Sequence, residues 1–190
     1  MKTLRLLLCL LAVLLADLAN VPSAAAPFGD TGGWSQETNG LQARLTLVEK
    51  DKLHGTRWLV PYLELRNVRG LADRLEVNLG SQHLKVELLG ADGKPVRDGR
   101  SLSRSGPTPE LGTIILPWDS SMRLSLECRN WGIPKDAAAM VSTDSGAWVI
   151  SEKERGKVFL RASISGEKSE PTWKTWSGTL QTPLLRVDWK

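Results

Sequence analysis

The sequence predicts an antiparallel β-sandwich, and three observations support this all-β fold class. Apolar and polar residues alternate in several short stretches, as they do in half-buried strands. Turn-forming Gly, Pro, Asn, Asp and Ser residues separate these stretches. No sustained helical period of 3.6 residues occurs after the first 26 residues. We therefore expect about seven to nine strands, with a closed barrel as the alternative architecture.

The first 25 residues are predicted to be a secretory signal peptide. Lys2 and Arg5 precede an apolar run of ten residues, 6–15, and small residues lead to an expected cleavage after Ala25. The run is too short to cross a bilayer, which needs about 20 apolar residues, and no later stretch approaches that length. We expect an exported protein, periplasmic or extracellular, whose mature chain has no membrane span.

The mature chain is predicted to consist of a flexible arm, residues 26–40, and one β-sandwich domain, residues 41–190. A chain of about 165 residues buries about 70% of its unfolded surface, so a single core can stabilise it. Cys128 is the only cysteine after residue 25, so an intramolecular disulfide cannot form. Removing the signal peptide lowers the net charge only from +4 to +3. This mild charge, without blocks of one sign, is not typical of proteins that bind nucleic acid.

The predicted strands follow one another along the chain with turns between them. They cover residues 41–47, 58–68, 75–79, 84–88, 114–116, 122–128, 148–150, 157–165 and 178–189. Asp92 and Gly93 predict a tight hairpin turn after the fourth strand, because both accept a positive φ. The alternation in 122–128 turns Cys128 inward. The regular stretch 158–164 predicts a central strand that is buried on one face.

Three places interrupt the strand pattern. Pro61 lies inside the second strand, and because proline cannot donate to a ladder we expect it at a sheet edge or a bulge. Residues 135–141 follow a proline and are rich in alanine, which predicts one or two turns of helix. In the last strand Leu180 and Leu185 fall on opposite parities, so a bulge or a change of sheet is predicted at Pro183.

Four short motifs carry a resemblance to a known class of domain. They are Gly156-x-Val158-x-Leu160-Arg-Ala162, Trp176-x-Gly178-x-Leu180-x-x-Pro183, Leu63-x-Leu65-x-Asn67 and Ala91-Asp-Gly-Lys-Pro-Val96. They are similar to strands and a mid-domain hairpin of the immunoglobulin-like or fibronectin-III-like β-sandwich modules of bacterial secreted proteins. The disulfide and tryptophan spacing of antibody domains is absent. The resemblance implies an accessory or binding role rather than catalysis.

Residues typical of catalysis occur in the chain, but not in catalytic patterns. Thr143-Asp-Ser-Gly-Ala147 is similar to the serine-nucleophile loop of trypsin-like proteases, with His54 earlier in the chain, but the residues around both differ and a turn explains it better. The histidines and Cys128 have no metal-ligand spacing. Carboxylates such as Glu152 and Glu154 are better explained as turn residues. We therefore predict that the protein is not an enzyme and uses no cofactor or metal.

Tryptophan is the unusual feature of the composition, with eight Trp against one Tyr and two Phe. Four tryptophans in or beside strands are predicted to pack in the core or at its rim: Trp58, Trp148, Trp176 and Trp189. The others lie in predicted loops, where an exposed ring can bind a sugar or form a hot spot for a protein partner. The candidate ligand-binding residues are Trp118, Trp131 and Trp173.

The sequence predicts a binding or structural protein whose partner is an unknown protein or glycan. We expect a non-catalytic β-sandwich protein that acts in the cell envelope or the extracellular space through protein contacts. A carbohydrate-binding module that uses the loop tryptophans is the alternative. An inhibitor that presents the long polar loop 97–112 to an enzyme is a third possibility.

Overall fold

The computed structural model describes residues 32–53, 55–70, 74–80, 82–96, 111–128, 137–143, 145–166 and 175–189. In these ranges the chain is all-β, with eleven strands and one three-residue 3-10 turn, Glu152–Glu154. The strands are β1 (Leu41–Leu53), β2 (Thr56–Asn67), β3 (Leu75–Asn78), β4 (Leu84–Leu89), β5 (Thr113–Leu116), β6 (Ser121–Ser125), β7 (Ala139–Thr143), β8 (Gly146–Ile150), β9 (Phe159–Gly166), β10 (Gly178–Gln181) and β11 (Leu185–Arg186). This exceeds the expected seven to nine strands. The predicted signal peptide lies outside the described residues, so export stays a prediction.

The strands form three sheets. In the five-stranded sheet β2 pairs with β1 on one side and with both β6 and β7 on the other, and β8 pairs with β7. The β2–β7 pair is parallel and the other pairs are antiparallel. In the four-stranded sheet β9 lies between β4 on one side and β10 and β11 on the other. Strands β3 and β5 form a third, two-stranded sheet.

The inward faces of the three sheets share one hydrophobic core. Strand β1 of the five-stranded sheet contacts β9, β10 and β11 of the four-stranded sheet. Leu45 and Leu63 from the first sheet, Leu160 and Ile164 from the second, and Val77 from the third belong to the same buried cluster. The arrangement, with sheets facing each other across a common core, is consistent with a β-sandwich.

Strand β9 is the central strand that the sequence predicts. It pairs along one edge with β4 and along the other with β10 and β11. Its inward residues and the residue before it are buried: Val158, Leu160, Ala162 and Ile164. The prediction for 158–164 is therefore confirmed. The inward direction of Cys128 is confirmed as well, because its side chain is buried in the core.

The predicted break at Pro183 is a β-bulge. Two pairs flank it, Gln181 with Ser163 and Leu185 with Leu160. Four residue steps on the last strand therefore face three steps on β9, and the extra residue shifts the parity. Thr182 restores the ladder, because its N–H donates to the carbonyl of Ala162 at 2.9 Å and its Oγ1 accepts from the N–H of Ala162 at 3.0 Å. Both halves stay on the same sheet.

Pro61 lies in an interior strand, which corrects the expectation of an edge or a bulge. It is in register with Leu47 of β1. On the other side of β2, β7 pairs with residues 57–59 and β6 with residues 62–66, so Pro61 lies where the partner changes. Its carbonyl accepts from the N–H of Leu126 at 3.0 Å. Because proline has no N–H to donate back to Leu126, the β6 ladder ends here and β7 becomes the partner of β2.

The predicted helix at 135–141 is wrong over its described part. Residues 135–136 lie outside the described ranges, and Ala139 begins strand β7. This strand pairs in parallel with β2 and antiparallel with β8, and all five of its residues are buried. A strand buried on both faces has an apolar run without alternation. Helix propensity is worth less than about 1 kcal/mol per residue, so the strand pairing outweighs it.

Residues 32–40, within the predicted arm, lie against the sheets. The N–H of Ser35 donates to the carbonyl of Ala43 in β1 at 2.8 Å, and its Oγ accepts from the N–H of Ala43 at 3.0 Å. The carbonyl of Thr38 accepts from Nε1 of Trp176 at 2.8 Å. This segment therefore joins the edge of β1 to the chain that leads into β10.

The outer face of the four-stranded sheet carries an ion-pair cluster around Glu87. Nζ of Lys85 lies 2.7 Å from its Oε1, and Nη2 of Arg161 lies 3.2 Å from its Oε2. The hydrogen bond from Lys85, followed by that from Arg161, lowers the pKa of the Glu87 carboxyl below its usual value, although burial opposes this shift.

This lowered pKa predicts a pH-dependent contribution to stability. The carboxylate stabilises the fold above its unfolded-state pKa, and the contribution is lost as the pH falls through the lower folded-state pKa. We expect the thermal midpoint of the protein to fall more steeply between about pH 5 and pH 3 than that of a Glu87→Gln variant. Thermal unfolding followed by circular dichroism measures both curves. Parallel curves would contradict the prediction.

Candidate interaction site

A tight turn, residues 117–120, joins β5 to β6 and carries Trp118. The N–H of Ser120 donates to the carbonyl of Pro117 at 3.3 Å, and its Oγ donates to the same carbonyl at 2.6 Å. Asp119 adopts a φ of +50°, a left-handed conformation that aspartate tolerates better than most residues. The turn leaves the side chain of Trp118 47% exposed.

Asn67, the last residue of β2, holds this turn in place. Its side chain is fully buried. Its Nδ2 donates to the carbonyls of Leu116 at 3.1 Å and Pro117 at 3.2 Å, and its Oδ1 accepts from the N–H of Arg69 at 3.0 Å. Because a buried amide must be satisfied, these bonds fix the turn relative to the end of β2. The position of Trp118 is set in the same way.

A second large apolar side chain is exposed on the strand before this turn. Ile114 and Leu116 of β5 face inward, whereas Ile115 is 50% exposed. Among the described residues, Ile115 and Trp118 are the two most exposed of the large hydrophobic side chains. We refer to Thr113–Leu116, the turn 117–120 and Ser121–Ser125 together as the β5–β6 corner.

Strand β6 has a free edge, by which we mean the side that no other strand of the described ranges pairs with. Two backbone hydrogen bonds of 3.0 Å flank its ladder with β2. The N–H of Asn67 donates to the carbonyl of Ser120 at one end, and the N–H of Leu126 donates to the carbonyl of Pro61 at the other. Antiparallel pairing alternates the direction of the backbone groups along a strand. It therefore directs the N–H and C=O groups of three residues away from β2: Ser121, Arg123 and Ser125. No strand in the described ranges pairs with that side of β6.

The two faces of β6 differ in chemistry. Met122 and Leu124 are half-buried and pack against the core. The alternate residues are exposed, and among them the Arg123 guanidinium lies 4.2 Å from the centroid of the Tyr62 ring. Its Nε lies 3.6 Å from Oε1 of Glu64, yet half of the Arg123 side chain remains exposed. The strand thus offers a cation on one face and apolar groups on the other.

The outer face of β1 and β2 carries a stack of aromatic and guanidinium groups. Trp34 lies between Arg44 and Arg66, whose guanidinium carbons are 4.6 and 4.5 Å from the centroid of its ring. Arg44 also pairs with Glu64 at 2.6 Å. Exposed cation–π contacts contribute about 0.5–1 kcal/mol each. Trp34 is therefore a half-buried structural contact between the N-terminal segment and the sheet.

The tryptophans differ in how far the structure tests their predicted roles. Trp118, a candidate ligand-binding residue, is exposed on a defined turn. The other two candidates, Trp131 and Trp173, lie outside the described residues, so their part in a site stays a prediction. The four tryptophans predicted to pack in or beside the core are all buried, which confirms that prediction: Trp58, Trp148, Trp176 and Trp189.

The roles of Asn67, Ile115 and the free edge of β6 were not predicted from the sequence. A signal for two of them is present in the pattern. Asn67 lies on the inward parity of β2, after Leu63 and Leu65, where a polar residue needs buried partners. Ile115 is an apolar residue on the outward parity of β5. The free edge has no local signal, because it depends on the order of strands in the sheet.

The residues considered for catalysis are not brought together in the described part of the chain. Oγ of Ser145 accepts from the N–H of Val86 at 3.1 Å and so ties the turn after β7 to β4. His83 lies with its Nδ1 3.0 Å from a backbone carbonyl of β9. His54 and Asp144 are outside the described residues. Within the described ranges, no group of three or more His, Cys, Asp or Glu side chains could hold a metal ion.

The β5–β6 corner combines exposed apolar side chains, free backbone groups and a cation, which suits non-covalent contact with another molecule.

In the ranges that the structure covers, no helix has the length and apolar character needed to cross a membrane. No protein-family model, no curated protein and no solved structure matches this chain.

Proposed function

We propose that this chain is a non-catalytic, exported β-sandwich module that binds another protein through its β5–β6 corner. The observation that carries the proposal is the exposure of Trp118 and Ile115 at that corner. The two side chains are three positions apart along the chain, large exposed apolar side chains can mark interaction sites when they lie together, and tryptophan is enriched among interface hot spots. The module is proposed to be of the immunoglobulin-like or fibronectin-III-like kind, in line with the motifs of its closing strands.

Rigidity of the corner supports this role. A partner gains more affinity from a side chain that is already held in place, because less conformational entropy is lost on binding. Asn67 anchors the turn through two carbonyls, and Ser120 closes it. The proposed place of action, the cell envelope or the extracellular space, is supported by the signal-peptide pattern of residues 1–25.

A protein is favoured over a glycan as the partner. A sugar platform needs flat, accessible aromatic rings, and Trp118 supplies one. In the described ranges its exposed apolar neighbour along the chain is the aliphatic Ile115, and the following strand offers backbone groups. Aliphatic side chains and strand edges are features of protein contacts. Binding of a glycan at Trp118 remains the second candidate.

Site-specific photo-crosslinking tests the proposed function. We expect a photoreactive residue at position 118 or 115, introduced into the protein in its producing cells, to form one discrete protein adduct. The same photoreactive residue in place of Thr179, which is exposed on β10 of the other large sheet, serves as the control and should form no adduct. Equal adducts at all three positions would contradict a site at the corner. A sugar-dependent shift of tryptophan fluorescence in the parent protein that is lost in a Trp118→Phe variant, without an adduct, would favour the glycan.

Substitution of the hot spot gives a quantitative expectation. Trp118→Ala should weaken binding of the adduct partner about 10- to 100-fold, the effect of losing about 1.4–2.8 kcal/mol at a hot spot. Its unfolding free energy should stay within about 0.5 kcal/mol of the parent, because the side chain is exposed. Titration of the purified partner and urea unfolding measure the two quantities. A Trp118→Ala variant with unchanged affinity would contradict the proposal.

A further inference from the structure

We propose that the β5–β6 corner binds its partner by strand addition, in which an extended acidic segment of the partner pairs with the free edge of β6. This inference rests on the proposed function and names the kind of partner segment. Its starting point is the backbone of β6. Ser121, Arg123 and Ser125 direct their N–H and C=O groups away from β2, and no described strand takes them up.

The edge of β6 differs from the other exposed strand edges near it. The edge of β1 is occupied in part by Ser35, and the N–H of Val86 in β4 donates to Ser145. Proteins protect free edges with proline, bulges, charged side chains or very short strands. Strand β6 contains one charge and no proline, and it follows directly on the turn with the exposed Trp118. An added strand would therefore find both backbone partners and an apolar anchor.

The side chains of β6 specify what an added strand must contain. On the inward face Met122 and Leu124 are only half-buried, so apolar residues of the added strand would cover them. On the outward face Arg123 is paired in register with Glu64 of β2. Its guanidinium reaches back over β2, where Nη2 lies 3.3 Å from Oγ1 of Thr46 in β1, but half of the side chain remains exposed and accessible to a partner. A carboxylate opposite Arg123 on the added strand would complete a carboxylate–guanidinium–carboxylate row across the sheet.

A second copy of this chain does not fit the same edge equally well. In the fully paired antiparallel register, β6 of one chain would place its Arg123 directly opposite Arg123 of the other. Like charges directly opposite each other on a sheet are destabilising. An acidic segment has the complementary charge, so the edge favours a different protein over self-association.

Synthetic peptides test the inference directly. The probe is a peptide of about nine residues that alternates valine and threonine and has a glutamate in a central threonine position. The matched peptide has lysine instead. We expect the glutamate peptide to bind the protein at least about tenfold more tightly, with a change in intrinsic tryptophan fluorescence that is lost in a Trp118→Phe variant as the readout. Amide hydrogen exchange should slow at three residues when it binds: Ser121, Arg123 and Ser125.

Two variants separate strand addition from other modes of binding. Ser121→Pro removes an outward N–H without breaking a bond to β2. It should weaken binding of the glutamate peptide at least about tenfold. Ser121→Thr is the matched control and should bind as the parent does. Arg123→Gln should reduce the preference for glutamate over lysine to less than about twofold. If Ser121→Pro unfolds the chain, the exchange protection and the Arg123→Gln result still decide the question.

The outcomes distinguish this inference from the proposed function. Equal binding of both peptides without exchange protection, together with a specific adduct at position 118, would overturn strand addition and leave protein binding in place. If the adduct at position 118 were also absent, both strand addition and protein binding at the corner would be overturned. Concentration-dependent dimerisation that Ser121→Pro abolishes would overturn the acidic partner in favour of a second copy.

Discussion

Trp176→Ala is expected to lower the free energy of unfolding by about 3–5 kcal/mol, the range for removing a large aromatic side chain from a core. Trp176 is the largest fully buried side chain of the described residues. Its removal opens a cavity, and it also takes away the Nε1 donor that lies 2.8 Å from the Thr38 carbonyl, which then retains only the N–H of Leu41 at 3.0 Å among the donors of the described residues. Urea unfolding followed by far-ultraviolet circular dichroism measures the effect.

A Trp176→Phe variant separates the two contributions of this side chain. Phenylalanine keeps part of the ring volume but cannot donate to Thr38, so we expect a loss smaller than that of Trp176→Ala. The fit around the ring is close, since a Cβ placed on Gly166 would lie 2.8 Å from Cε3 of Trp176. A Trp176→Ala variant as stable as the parent would contradict this description of the core.

Asn67→Ala is expected to destabilise the fold by about 2–4 kcal/mol, because it removes three hydrogen bonds of a fully buried amide, one of them to the buried Leu116, and empties the space that the amide fills. The carbonyls of Leu116 and Pro117 lose a donor, and the N–H of Arg69 loses an acceptor. The loss acts on the turn that presents Trp118. We therefore expect the affinity for the partner to fall as well, although Asn67 is fully buried and does not touch solvent.

Asn78→Ala is the matched control for this substitution. Asn78 also ends a strand, and its Oδ1 accepts from the N–H of Gly80 at 2.9 Å, but the residue is only half-buried. Water can replace a half-exposed partner, so we expect a loss below about 1 kcal/mol. Urea unfolding of both variants and titration of the partner provide the comparison. Equal losses at the two positions would show that burial of Asn67 is not the cause.

Local alternation predicts much of this fold, since it reports which face of a strand is buried. The period of two in 158–164 identified β9 and its inward side chains, and the same period turned Cys128 inward. The break in parity at Pro183 likewise identified a one-residue insertion. Each of these predictions depends on a few neighbouring residues, and strand geometry alone determines their directions.

The errors arise where distant pairing decides the structure. Ala139 and its neighbours form a strand because β2 and β8 take up their backbone groups on both sides. Pro61 is tolerated in an interior strand because two partners meet beside it. Neither circumstance is visible within a window of ten residues. The order of strands in a sheet has to be known first.

The candidate site was predictable only in part for the same reason. Trp118 could be placed on a turn because Pro117, Asp119 and Ser120 are turn residues. Its anchoring by Asn67 joins two segments far apart in the chain. The free edge of β6 follows from which strands flank β2, so it emerges only with the complete sheet.

The contact between Trp176 and Thr38 also has a consequence for folding kinetics. The two residues are 138 positions apart, and Asn39 donates to the carbonyl of Ser177 over the same separation. Contacts between such distant segments slow folding, because a long loop must close before they form. During synthesis Ser35 can bond to Ala43 of β1 early, whereas Thr38 and Asn39 would wait for almost the whole chain before they met Trp176 and Ser177.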